Sequence, residues 1–224
     1  MQTAYLALRL WGPMQSWGFS SEYPYRRTTG LWPTKSAIAG ICCASGGYPK
    51  GSDREGAFLV EFNRLRMTTI RTAGCSRLVD FHTVQGVPTA DGKTPRTIIT
   101  HREYLTDAKF GVVLEGPEAL LEGIAGSVQD PVWGIWLGRR CCIPSAPLLI
   151  SSSDGPLFKS FEAACAEIIL DCGGSGDLND FDHQVELDTF EEGRDSIPDQ
   201  AVCFGLGQRK YSSRRVKVVQ RRAG

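Results

Sequence analysis

No stretch of this sequence approaches the roughly 20 consecutive apolar residues that cross a bilayer, so a membrane-spanning helix is not expected. The opening residues, Met1-Gln2-Thr3-Ala4, lack the basic patch and apolar run of a signal peptide. A cytoplasmic chain follows as the expectation. CxxC pairs are absent as well. The eight cysteines include the adjacent pairs Cys42-Cys43 and Cys141-Cys142, and neighbours on a strand point to opposite faces, so one metal ion rarely takes both. Small buried apolar side chains in a reducing cell are expected instead, with no metal and no cofactor. No Gly-x4-Gly-Lys loop precedes Lys35, which excludes a Walker phosphate loop. A Ser-His-Asp pattern is missing, and no internal repeat or low-complexity tract is visible.

Neither charge sign is in excess. Lys and Arg number 25, Asp and Glu 25, and the net charge is zero. That total gives no hint of nucleic acid, but the distribution does. Residues 171–199 are strongly acidic, with Arg194 the only Arg or Lys. Residues 209–222 carry Arg209, Lys210, Arg214, Arg215, Lys217, Arg221 and Arg222 and no acid. Such a split can place a basic face on a neutral protein. A solvated tail fits Arg221 and Arg222, whereas Val216, Val218 and Val219 point to a strand nearby.

The 224 residues, 42% hydrophobic, suit one compact domain with an appendage or two small domains. Alternation predicts strands at 3–9, 64–72, 77–84 and 98–115, with a break before Phe110, and an apolar strand through 133–143. Helices are expected at 36–44, with Thr34 as N-cap, and at 53–63, 117–127 and 157–170. Short strands are expected near 183–190, 201–206 and 214–219. Residues 86–97 are rich in turn formers and read as an exposed excursion. The order of elements fits an α+β, ferredoxin-like βαββαβ unit with a long hairpin arm between its middle strands.

Several clusters bear on chemistry. Thr34-Lys35-Ser36 at a helix start offers backbone N–H groups, two hydroxyls and an ammonium, a place for a phosphate. The same residues also suit an ordinary capped helix. Arg102 and Tyr104 share one strand face, as do Asp80 and His82 on the preceding strand. Guanidinium planes and rings stack on splayed RNA bases. Equally, Asp80 or Glu103 can neutralise an arginine across the strands. Gly138-Arg139-Arg140 sets two guanidiniums beside a glycine, an arrangement suited to phosphate or to plain surface charge. Metal-independent RNA cleavage needs a base, an acid and a cation around one phosphate. His82, His101, Tyr104 and Lys109 have suitable chemistry, but their spacing does not gather them.

The segments LWGPMQSWG (10–18), PTKSAIAG (33–40), DFHTVQG (80–86), REYLTDAKF (102–110) and LGRRCCIPSAP (137–147) occur in the order of a known family. The chain resembles the CasD-type subunits of type I-E Cascade, in the fifth family of CRISPR-associated proteins of the RAMP superfamily. The likeness covers about residues 3–150. It implies an RRM-like domain over 1–147, with a β-hairpin thumb at about 84–100, and a small β-rich C-terminal domain over 148–224. It implies a non-catalytic subunit that grips the 5′ handle of a CRISPR RNA. Its implied neighbours are the backbone subunit that coats the spacer and the large subunit that reads the PAM, with target DNA reached through the complex. Residue by residue it implies RNA contacts at Arg102, Thr34, Lys35, Ser36, Arg139 and Arg140. Trp17, Arg27, His82 and Tyr104 join them because they lie beside the same motifs. A metal-independent endoribonuclease acting on repeat RNA, and a pure protein adaptor, remain the other readings.

Overall fold

Leu6, Leu8 and Leu10 alternate with Ala7 along the first strand, and all four are fully buried. A strand buried on both faces needs cover on both sides, and that requirement sets the architecture. The computed structural model describes residues 2–18, 26–89, 92, 95–189, 192, 195–207 and 209–222. In chain order they form β1 (Thr3–Trp11), β2 (Met14–Gln15), β3 (Arg26–Arg27), α1 (Lys35–Ser45), α2 (Asp53–Asn63), β4 (Arg66–Arg71), β5 (Ser76–Val87) and β6 (Arg96–Thr106). There follow β7 (Lys109–Pro117), α3 (Glu118–Gln129), β8 (Leu149–Ile150), β9 (Leu157–Phe158), α4 (Phe161–Asp171), β10 (His183–Leu187), β11 (Asp195–Cys203) and β12 (Lys210–Val219).

The larger sheet runs β11-β12-β10-β4-β7-β1-β8, with β9 also paired to β1. Its strand pairs are antiparallel. On one face Leu6, Leu8, Leu10, Met67 and Leu114 pack with Ile38 of α1, Phe62 of α2 and Leu121 of α3. On the other, Ala7, Ile70 and Val113 pack with Ala164 and Ile168 of α4. Fully burying one such leucine or isoleucine contributes about 2 kcal/mol. Thr34, Ser52 and Ser160 cap α1, α2 and α4 by accepting from Ala37, Glu55 and Ala163 N–H.

The smaller sheet centres on β6. It pairs with β5 on one edge and with β2 and β3 on the other. β5 and β6 form the projecting hairpin, which begins at Ser76, earlier than the expected thumb. Residues 90, 91, 93 and 94 of the expected thumb lie outside the described residues.

Two expectations change. Residues 133–143 form turns, not a strand. Gly138 has φ +98, and the Leu137 and Cys142 N–H groups donate to Cys142 and Arg139 carbonyls, so the backbone is spent within the loop. The residues from 148 onward, expected as a separate unit, extend the larger sheet: β8 and β9 pair with β1, and β10 pairs with β4.

Candidate nucleic-acid interface

In an antiparallel ladder, directly opposed residues share a face. Asp80 opposes Arg102, His82 opposes Thr100 and Leu78 opposes Tyr104. On the other edge Arg27 lies beside Arg102. The smaller sheet therefore brings Arg27, Arg102, Tyr104 and His82 to one face. On the opposite face Glu103 is buried and accepts from Arg26 at 3.2 Å and Arg77 at 3.0 Å. That arrangement decides the question left open by spacing. Glu103 neutralises Arg26 and Arg77, while Arg102 has no ion pair among the described residues. Asp80 faces His82 instead, Oδ2 to Nδ1, at 4.0 Å.

The turn at 137–142 is pinned to this face. Ser16 N–H donates to Leu137 O at 3.0 Å, and Ser16 Oγ–H donates to Glu103 O at 3.2 Å. Arg139 then lays its guanidinium 4.6 Å from the centre of the Tyr104 ring and donates Nη2–H to Arg27 O at 3.0 Å. Its Nη1 is buried and has no partner among the described residues. Tyr104 is only 4% exposed. Burial pushes its hydroxyl above the ordinary phenol value, with Arg139 pulling the other way.

Beside the turn lies a groove of about 600 Å³. Arg27, Thr34, Ser36 and Arg139 line it, together with Arg209 and Tyr211 from the C-terminal hairpin. Arg209 is exposed and Tyr211 is 43% exposed. The basic run at 209–222 was the sequence signal for these two. Nothing local showed that β11 and β12 fold back against α1. Arg102 adjoins the groove through Arg27, and Arg140 turns into a neighbouring compartment.

Three expected contacts are corrected by burial. Trp17 is fully buried and donates its indole N–H to Gln15 Oε1 at 3.2 Å, so its ring is core. Lys35 has no exposed surface. Its ammonium donates to Asn63 O, Leu65 O and Glu186 Oε1 at 3.1, 2.6 and 2.7 Å. The α1 N-terminus is also occupied: Lys35 N–H donates to Asp199 Oδ2 at 2.8 Å. Arg214 holds that carboxylate with two further bonds, at 2.7 and 3.0 Å. A carboxylate of the chain itself thus stands where a phosphate was expected. The Tyr104 ring, covered by Arg139, is not open for base stacking either. Its role in this geometry is to hold Arg139.

Among the described residues no group of three or more His, Cys, Asp or Glu side chains is placed to hold a metal ion. All eight cysteines are free thiols. Cys42, Cys43, Cys142 and Cys165 are buried as expected, whereas Cys141 is exposed. Among the described residues no helix is long and apolar enough to cross a membrane.

The fold and groove define a mixed α/β protein of mainly antiparallel sheets with arginines gathered in one groove. The chain belongs to the Cas5 family of CRISPR-associated proteins, whose pattern it matches over residues 5–217. That span reaches well past the motifs legible in the sequence. It is 34% identical over 161 residues to the CRISPR system Cascade subunit CasD of Escherichia coli (strain K12), covering 66% of this chain and 71% of the relative. It is similar to a chain of a solved CRISPR RNA-guided surveillance complex, with TM-score 0.73 and 30% identity over 96% of this chain and 89% of the other. A crystal structure of a Cas protein matches with TM-score 0.68 and 26% identity, covering 97% and 95% of the two chains.

Proposed function

We propose that this chain is a non-catalytic subunit of a type I-E Cascade surveillance complex and grips the unpaired 5′ handle of the CRISPR RNA. The observation that carries the reading is the groove in which Arg27, Arg139 and Arg209 converge without a carboxylate partner among the described residues. Guanidiniums so placed take phosphates in bidentate fashion. Arg102 and His82, on the adjoining sheet face, are placed to meet handle bases. Ser36 and Thr34 offer hydroxyls at the groove wall, although Thr34 already accepts from Ala37 N–H at 3.3 Å. Arg140 meets the strand beyond Gly138. The backbone subunit and the large PAM-reading subunit are the proposed neighbours, and target DNA is reached through the complex.

The ferredoxin-like reading is supported by the order β4-β7-β1-β8, all antiparallel, with α1 and α2 between β1 and β4 and α3 between β7 and β8. The β5–β6 hairpin projects between its middle strands as the thumb. Its face of Val79, Phe81, Ile99 and His101 includes exposed apolar groups suited to wedging between nucleotides.

The endoribonuclease reading needs His82, His101, Tyr104 and Lys109 around one phosphate. His82 and His101 lie on opposite faces of the hairpin. The Lys109 ammonium sits 4.7 Å from the centre of the Trp11 ring, and Tyr104 is covered. The test is incubation of purified protein with repeat RNA in EDTA. Binding without cleavage is expected, weakened by about 1–3 kcal/mol in Arg27→Ala or Arg102→Ala and little changed in Lys217→Ala. Specific cleavage lost in His82→Ala or Tyr104→Phe overturns the reading. RNA-free complexes favour the adaptor.

A further inference from the structure

Beyond the half-buried side of α1 the groove opens into a second compartment of about 760 Å³. The two share Ser36, Ala37, Gly138 and Phe204 as wall, so a strand lying in the first reaches the second without leaving the surface. The chemistry of the second is different. Trp133 and Trp136 line it and are 45% and 37% exposed. Their loop is fixed to the end of α1 by Val132 N–H to Ser45 O at 2.9 Å and Trp133 N–H to Ala44 O at 3.2 Å. The Trp136 benzo ring lies over Gly134, where an added Cβ would come within 2.3 Å of it. Lys50 and Arg140 supply positive charge in the same wall.

Glu55 also lines this compartment, yet it is only 1% exposed. Its Oε2 accepts from Gly51 N–H at 2.9 Å and Phe204 N–H at 3.2 Å. Its Oε1 is buried without a partner among the described residues. A buried acceptor left unpaired is costly and calls for a donor. An apolar side chain from a protein partner would fill the space and leave Oε1 unpaired. A nucleobase with an exocyclic amino group offers both a π-face for the indoles and a donor for the carboxylate. Uracil instead presents carbonyl oxygens on both sides of its single N–H, which the carboxylate repels.

We infer that this compartment takes one unpaired nucleobase bearing an exocyclic amino group, from the same strand whose phosphates lie along Arg27, Arg139 and Arg209. The inference rests on the proposal that the chain grips RNA, and it adds base selectivity to that grip. Trp133 and Trp136 give stacking that any base can use, and Glu55 supplies the choice.

The test compares the affinity of the full chain for oligocytidylate and oligouridylate of equal length at one salt concentration. The two bases share ring size and differ in amino against carbonyl. The intact protein should prefer oligocytidylate about tenfold. Glu55→Gln keeps an oxygen for Gly51 and Phe204 and puts an NH2 group in place of Oε1, so the preference should vanish. The double variant Trp133→Ala with Trp136→Ala should weaken both oligonucleotides about tenfold. Equal affinity for the two in the intact protein, or an unchanged preference in Glu55→Gln, overturns the inference. If Arg27→Ala and Arg139→Ala weaken both oligonucleotides while the tryptophan pair does not matter, the groove stands and the base compartment falls. Should the arginine variants bind as the intact protein does, the RNA reading and this inference fail together.

Discussion

Three oxygen acceptors surround the Lys35 ammonium, two of them backbone carbonyls. Burial pulls its pKa below the ordinary lysine value, and Glu186 pulls it back up. Glu186 also accepts from Arg214 at 3.4 Å, and Arg214 in turn holds Asp199 against the α1 N-terminus. Removing Lys35 strips one charge from a buried cluster, which is costly because its partners stay behind. Lys35→Ala should therefore lower unfolding stability by about 3 kcal/mol in urea titration, while RNA affinity per folded molecule stays within about twofold. Arg27→Ala should do the reverse. A stable Lys35→Ala with poor RNA binding would return the lysine to the phosphate role its position first implied.

At the scale of elements, the 137–142 turn decides where Arg139 and Arg140 go. Gly138 is required there on two grounds. Its φ is +98, and a Cβ would come within 1.8 Å of the Ser16 carbonyl oxygen. Backbone cannot yield as a flexible side chain would. Gly138→Ala should cost about 2 kcal/mol or more in thermal unfolding and weaken RNA binding as much as Arg139→Ala does. Retention of full binding would mean that the turn does not position the arginine. The β5–β6 hairpin works by a simpler rule. Period-two alternation sends Glu103 to one face to neutralise Arg26 and Arg77, and Arg102 to the other, where no acid among the described residues takes it.

Across the whole molecule the zero net charge is sorted. Five acids of the 171–199 stretch are spent on internal partners: Asp171 on Arg9 at 3.2 Å, Asp182 on Arg71, Asp188 on Arg66, and Glu186 and Asp199 on Arg214. Arg27, Arg139 and Arg209 are left facing the groove. With about three phosphates neutralised, log affinity for single-stranded RNA should fall against log salt with a slope near −2. Arg209→Ala should reduce its magnitude by about 0.7. A salt-independent affinity would contradict the groove. Acid sensitivity follows from the same sorting. The Arg221 N–H and then the Arg71 guanidinium hold the Asp182 carboxyl below its ordinary 3.8. Its contribution is present above 3.8 and is lost as pH falls through the lower folded value. Asp182→Asn should flatten the acid limb of the stability–pH curve below about pH 3.8; an unchanged limb would show that this carboxyl gains nothing on folding.

Period and capping are local properties, so the sequence by itself determined the α1 and α2 boundaries to within a residue, the β1, β4, β5, β6 and β7 strands, the shared face of Arg102 and Tyr104 and that of Asp80 and His82, and the family through its ordered motifs; that these two faces are one was decided by the β5–β6 register. Burial and long-range pairing are not local. Only the tertiary structure turned Trp17 and Lys35 inward, gave the α1 N-terminus to Asp199, which lies 164 residues away from Lys35 along the chain, and brought Arg209 and Tyr211 to the groove. A lysine after an N-cap has the same spelling whether its ammonium meets a phosphate or a carbonyl. The choice is made by which strand packs beside it, and here β11 and β12 bring Asp199 and Arg214 to that position.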